Sequence, residues 1–279
     1  MSDDLFEDLR HEVGRLVELK GKDNWSDTRN PKNFNLIQRT YSFGTRNCYE
    51  KKIKDDPIYT DLQSSRGLTI LEEDSLERVL SQIDETMKIS DADRVRFEEI
   101  ESIFSAITSS DDNSSFKELN LSDINHTGFA ELGFRIPKLM KHYESLYNVK
   151  VWGYDISPLS IGVTKNLGFD ARHYDFDSCE KDLDLKGASL VVSYHMLEHL
   201  SDPLKAIKKI YDSMDSGSFF HVEIPIEPGL PRLRFAHMFP FEPNDMGHFL
   251  AQSGFTVLTV SSKTHPGGPH IERYMAMKR

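Results

Sequence analysis

Two cysteines in 279 residues, Cys48 and Cys179, are too few and too far apart for a disulfide framework or a zinc cluster. Free thiols follow. No apolar run approaches the roughly 20 residues needed to cross a bilayer, which excludes a helical membrane span. The opening stretch MSDDLFEDLRHEVGRLVELK is acidic and amphipathic, and it lacks the basic start and apolar centre of a signal peptide. A cytoplasmic protein is expected. Basic residues are also in deficit: 34 Lys and Arg stand against 45 Asp and Glu, a net charge of -11, which opposes binding to a phosphate backbone. Neither nucleic acid nor membrane is therefore an expected partner. The short run of Lys51, Lys52 and Lys54 reads as a solvated face.

What is present falls into two rhythms, with no internal repeat. Residues 1–120 read as a mainly helical, acidic accessory or lid segment. Leu5, Leu9, Val13 and Leu16 make an amphipathic opening helix, and DSLERVLSQIDETMKI carries a capping-box spacing from Asp74 to Glu77. DADRVRFEEIESIFSAIT repeats the pattern, with Val95, Ile100, Ile103, Phe104 and Ile107 on one face. Residues 21–70 suggest irregular structure packed by Trp25, Tyr41 and Phe43, and residues 108–115 read as a loop.

From residue 121 to 279 short apolar runs alternate with helical segments: TGFAELGF, VKVWGYDI, DARHYDF, ASLVVSYH, GSFFHVEIP, FTVLTVSS and ERYMAMK. That alternation predicts an α/β domain, a Rossmann-like, mostly parallel sheet with helices on both faces. Only KTHPGGPH separates the last two strands, so the final one is expected to enter antiparallel.

The first strand leads into a turn where dinucleotide folds place a glycine-rich loop. Here a single glycine, Gly133, is followed by Arg135 and Pro137 where a pyrophosphate would need glycines. NAD(P) and FAD are poor fits. S-adenosylmethionine carries no phosphate and asks less of this loop: one close-approach glycine, a carboxylate for the ribose and a reader for adenine. Gly133 follows Glu131; Asp155 ends the second strand about twenty residues on; Asp175 and Phe176 end the third. Taken singly, each has an ordinary explanation, a turn glycine or a helix cap. Their order on three successive strand ends favours a cofactor site.

From Gly128 onward, on SYHMLEHLSDPLKAIKKIYDSMDSGSFFHVEIP and HMFPFEPNDMGHFLAQSGF, the chain resembles the class I S-adenosylmethionine-dependent methyltransferases, in particular the broad group with an LEH block after the fourth strand. The resemblance implies that Glu131 and Gly133 belong to the cofactor loop, Asp155 and Ile156 to the ribose, Asp175 and Phe176 to adenine, and Tyr194 with His195 to the methyl-donor end. Arg135 and Pro137 depart from the family's loop.

Methyl transfer to a hydroxyl requires alignment, exclusion of water and removal of a proton, a task suited to histidine near neutral pH. His195, His199 and His237 are the candidates, with His199 equally readable as a buttress of its turn. His221, inside a strand, reads as a packing residue. HMLEH also matches the inverted zincin pattern, but it follows a strand and is broken by SDP, a weak scaffold for a peptidase metal. A divalent ion on His195, Glu198 and His199 is a minor alternative to the metal-free reading. The expected activity is O-methylation of a sugar, glycan or other small molecule; a methyltransferase-like module without turnover is the rival. Oligomeric state is not legible.

Overall fold

The computed structural model describes residues 34–52, 87–108, 126–177, 180–229, 237–264 and 270–279. A two-stranded antiparallel hairpin, β1 (Phe34–Tyr41) and β2 (Gly44–Lys51), comes first and is followed by helix α1 (Asp91–Thr108). The main unit then runs β3 (Gly128–Leu132), α2 (Lys138–Tyr147), β4 (Lys150–Asp155), α3 (Pro158–Asn166), β5 (Asp170–His173) and β6 (Leu190–Tyr194). A 3-10 turn over Leu197–His199 leads into α4 (Pro203–Ser213), β7 (Phe219–Ile226), α5 (Asp245–Ser253), β8 (Phe255–Thr264) and β9 (His270–Lys278).

Seven strands form one sheet in the order β5-β4-β3-β6-β7-β9-β8. The first five in that order are parallel; β9 is antiparallel to both β7 and β8 and lies between them. The α/β fold expected from the alternating pattern, with its antiparallel last strand, is the fold observed. Insertion of β9 between its predecessors was not legible, because a hairpin link fixes direction and not which side the next strand takes. The chain builds outward from β3 through β4 to β5, then returns to lay β6 on the other side of β3. The switch point therefore lies between β3 and β6, where open α/β sheets bind ligands beyond the carboxyl ends of their strands.

Two apolar layers cover the sheet. One joins Phe97, Ile100, Phe104 and Ile107 of α1 to Phe129, Met140, Tyr143 and Val192; the other joins Ile207 and Ile210 of α4 and Phe249 of α5 to Val191, Phe220 and Val222. Buried on both faces, β3 and β7 are apolar almost throughout, as parallel central strands must be. Helix α1 is capped reciprocally: the Ser90 hydroxyl accepts from the Asp93 amide at 3.2 Å while Asp93 accepts from the Ser90 amide at 3.2 Å. Its buried stripe matches the expected one except that Phe97 is inside and Val95 is exposed, since the apolar face turns slightly around the helix.

The irregular stretch expected over residues 21–70 contains a regular hairpin instead. Alternation in FNLIQRTY is weakened by outward polar residues, which hid its period of two. Tyr41 and Phe43 stack at 5.5 Å and pack on Phe249, while Arg46 pairs with buried Asp245. The described parts of the first 120 residues thus dress both faces of the sheet. The opening helix, most of the 74–89 helix, Trp25 and the 108–115 loop lie outside the described residues, apart from Thr108 at the end of α1.

At Gly153, mid-β4, an added Cβ would stand 2.4 Å from Phe134 Cδ1 and 3.0 Å from Met140 Cε. Gly153→Ala is expected to destabilise the protein by about 1–3 kcal/mol, read as a lower urea midpoint with unchanged slope. An unchanged midpoint would mean that the Phe134 ring moves aside without cost.

Candidate active site

Glu131, Asp155 and the Asp175 turn stand at the carboxyl ends of three adjacent parallel strands. Gly133 turns the chain out of β3 with φ +72°, and its amide donates to the Tyr154 carbonyl at 2.8 Å. A side chain there would also strike Met196, whose Cγ would lie 2.6 Å from an added Cβ, so both conformation and space require glycine. That contact bridges the switch point: the β3 turn touches the residue two beyond β6. Arg135 takes the left-handed conformation too, at φ +54°, with its side chain outward. Pro137 precedes α2 directly, and Phe134 fills the space beside Gly153.

Glu131 is buried, and its Oε2 makes no hydrogen bond among the described residues. Burial first, with the nearby Asp93 carboxylate adding to it, pushes its carboxyl well above the ordinary range, against the pull of Lys138 and Arg96. An orphaned acceptor of this kind calls for a cationic or donating partner. Asp155 is clamped: Oδ2 accepts from the Arg135 amide at 2.9 Å and Oδ1 from the Ser157 amide at 2.8 Å. Burial raises its pKa despite those amides. Two of about four carboxylate acceptor positions are thereby filled. Ile156 beside it is half-buried. Asp175 accepts from the Asp177 amide at 2.9 Å and keeps partial exposure, whereas the Phe176 ring is turned into the apolar layer, edge-on to Tyr174 at 4.6 Å.

Across the switch point, Tyr194 donates to or accepts from His221 Nδ1 at 2.6 Å and lies under the Arg96 guanidinium at 4.5 Å. Burial drives the His221 pKa down to about 4, so it stays neutral, consistent with a packed residue. His195 has φ +54° and sits between two carboxylates: Nε2 is 2.8 Å from Glu223 Oε1 and Nδ1 is 3.4 Å from Glu198 Oε1. Burial opposes its charge, but Glu198 and Glu223 outweigh burial and raise its pKa to about 9. At neutral pH His195 is therefore an imidazolium, a donor and cation rather than the proton acceptor expected from sequence.

His199 and His237 face one another, ring centroids 5.1 Å apart. The 3-10 turn supplies His199, and the Glu198 carbonyl accepts the amides of Met238 (2.8 Å) and Phe239 (3.0 Å), fastening the His237 strand beside it. His237 Nδ1 is fixed on Glu227 Oε2 at 2.6 Å. Glu198 is buried with Oε2 unpartnered. Burial works against its ionisation, and His195, His199 and His237 together overcome that and hold its carboxyl below the usual range. Ligand atoms of Glu198, His199 and His237 all lie within 4.8 Å of one another.

The ionic frame behind these groups was missed in sequence. Glu223, fully buried in β7, receives Arg96 from α1, Arg273 from β9 and His195. Burial opposes its charge; those cations hold it far below the ordinary carboxylate range. Asp93 joins Lys138 and Arg96, and Glu99 joins Arg273 at 3.1 Å and Ser261 at 2.6 Å. The signal was available: a glutamate in HVEIP and an arginine in ERYMAMK, each within an apolar strand, demand partners of opposite sign.

No protein-family profile and no curated protein sequence matches the chain. Among solved structures it is similar to an S-adenosylmethionine-dependent methyltransferase from Mesorhizobium loti (12% identity, 61% of this chain, 99% of that one, TM-score 0.46). A putative S-adenosylmethionine-dependent methyltransferase from Listeria monocytogenes is similar at 14% identity, over 56% of this chain and 93% of that one, TM-score 0.45. A complex of the Haloferax volcanii Trm112 methyltransferase activator with a putative methyltransferase gives 10% identity, 67% and 95% coverage, and a TM-score of 0.47. Likeness of this size carries no weight for function, which rests on the site's own geometry.

Replacing Glu223 by Gln leaves Arg96, Arg273 and His195 around a neutral amide. A loss of about 3–5 kcal/mol is expected in urea unfolding at pH 7. His195 adds a pH signature. Its folded pKa of about 9 lies above the ordinary 6.5, so its contribution is complete below pH 6.5 and is lost as pH rises through 9. The wild-type urea midpoint should fall across that window and that of His195→Gln should fall less; parallel profiles would exclude the imidazolium.

Proposed function

We propose that this chain is an S-adenosylmethionine-dependent methyltransferase that methylates an oxygen of a sugar, glycan or other small molecule. The observation that carries the reading is the buried, unpartnered Glu131 oxygen at the end of β3, beside the switch point and next to Asp155. The donor's ammonium is the kind of cation such an oxygen lacks, and the remaining acceptor positions of Asp155 suit ribose hydroxyls. Asp175, at the turn after β5, is the carboxylate proposed to meet the adenine amino group. Met196 lies against Gly133, so a ligand following the loop meets an unbranched thioether, a side chain that repacks readily. The residues present fit the group.

S-adenosylmethionine supplies a methyl carbon already activated by its sulfonium. This chain's part is to orient the acceptor and manage one proton. The acceptor oxygen bonds to the methyl carbon, the C–S electron pair stays on sulfur, and the hydroxyl proton goes to His199 or His237. His195, held between Glu198 and Glu223, positions the turn that carries His199. A net charge of -11 supports a small acceptor over a nucleic acid. Among the described residues no helix is long and apolar enough to cross a membrane.

A non-catalytic module is the second reading, favoured by Arg135 and Pro137 in the loop and by the Met196 contact. Calorimetry with S-adenosylmethionine and its demethylated product separates the two. One saturable site is expected, weakened roughly ten- to a hundredfold in Glu131→Gln, the loss of a charge-assisted contact. Absence of any heat with either ligand would overturn the enzyme reading.

A further inference from the structure

We propose that Glu198, His199 and His237 bind one divalent first-row transition-metal ion, of the class of Zn2+, Mn2+ or Co2+. The set unites two imidazoles and a carboxylate from two chain segments that the Glu198 carbonyl locks together through the amides of Met238 and Phe239. Two-histidine, one-carboxylate sets serve such ions and leave positions open for water or substrate. Imidazole donors also favour these ions over Mg2+ or Ca2+, which select oxygen.

Two independent features point to a ligand. Glu198 is 1% exposed and has one carboxylate oxygen, Oε2, with no partner among the described residues; a polar group buried this deeply is costly unless a partner completes it. The second feature is Glu227, whose Oε2 stands 2.6 Å from His237 Nδ1. A carboxylate on one ring nitrogen fixes the imidazole's orientation and raises the basicity of the other, the usual arrangement behind a metal-bound histidine.

Ligands at roughly 2.1 Å from a tetrahedral ion stand about 3.4 Å apart, so a spread of up to 4.8 Å closes with a shift of about 1 Å in the side chains. The set differs from the one suggested by sequence: His237 replaces His195, which is engaged with Glu223. Only the distant approach of residue 237 to the turn makes the difference, and no spacing in HMLEH contains it.

The inference deepens the methyltransferase reading, and its catalytic consequence rests on that reading: with both imidazoles on the ion, His199 and His237 would no longer take the proton, and the ion would act as a Lewis acid that lowers the pKa of the acceptor hydroxyl so that its proton leaves to solvent. Binding itself does not depend on it. The test is titration of the chelator-treated full chain with CoCl2, followed by visible absorption and calorimetry, with ZnCl2 and MnCl2 in competition. One equivalent with ligand-field bands is expected, and His237→Ala and Glu198→Gln should weaken it at least about tenfold. Glu227→Gln should weaken it about ten- to a hundredfold while leaving one equivalent bound, and His142→Ala, on α2, should leave it unchanged. Should the ligand variants fail to fold, the wild-type melting temperature still decides, since a specific ion raises it in proportion to the logarithm of concentration over Kd. No stoichiometric binding, or binding indifferent to His237 and Glu198, overturns the site. S-adenosylmethionine calorimetry without metal reports separately on the methyltransferase reading.

Discussion

One buried carboxylate organises this molecule. Glu223 sits at 0% exposure in a fully buried strand that is apolar apart from it and His221, and a lone charge there would be prohibitive. Arg96, Arg273 and His195 neutralise it from three directions. Each reaches it from a different element, so the charge balance fixes where α1 lies, how far β9 slides along β7, and which way the chain leaves β6. Apolar replacement of a buried ion cluster is often neutral for stability; what ions add is that only one arrangement of the three elements satisfies them.

The candidate site inherits its geometry from that arrangement. His195, pinned on Glu223 in a left-handed conformation, directs the following residues into the 3-10 turn that carries Glu198 and His199. Met196 is left over Gly133, across the switch point. On the other flank, Asp155 gathers the amides of both strand-end turns, joining the β3 loop to the start of α3. Thus the groups around the switch point take positions that follow from backbone hydrogen bonds and buried charge, the rigid support that a site needs.

Much of this was legible. Alternating apolar runs from residue 128 onward gave five parallel strands and their helices, because strands buried on both faces must be continuous in hydrophobicity. The placement of Gly133, Asp155 and Asp175 at three successive strand ends was readable from order alone. The hairpin at 34–51 was not, since half of its residues are polar and only its packing on Phe249 makes it a strand pair. His195 was legible at the end of the fourth strand but not in its pairing, which depends on Glu223, 28 residues away and on the neighbouring strand. His237 and Glu227 could be named but not joined, because their pairing is tertiary.

The placement of β9 has a consequence for how the chain is made. Glu223 emerges from the ribosome some fifty residues before Arg273, yet β9 supplies β7's neighbour on that edge. Until the C-terminal strand arrives, the half-built sheet carries an open flank with an incompletely neutralised acid inside it. Non-local closure of this sort is slow and leaves sticky intermediates exposed. Cooperative assembly is thereby deferred until His270–Lys278 has been made and closes the sheet.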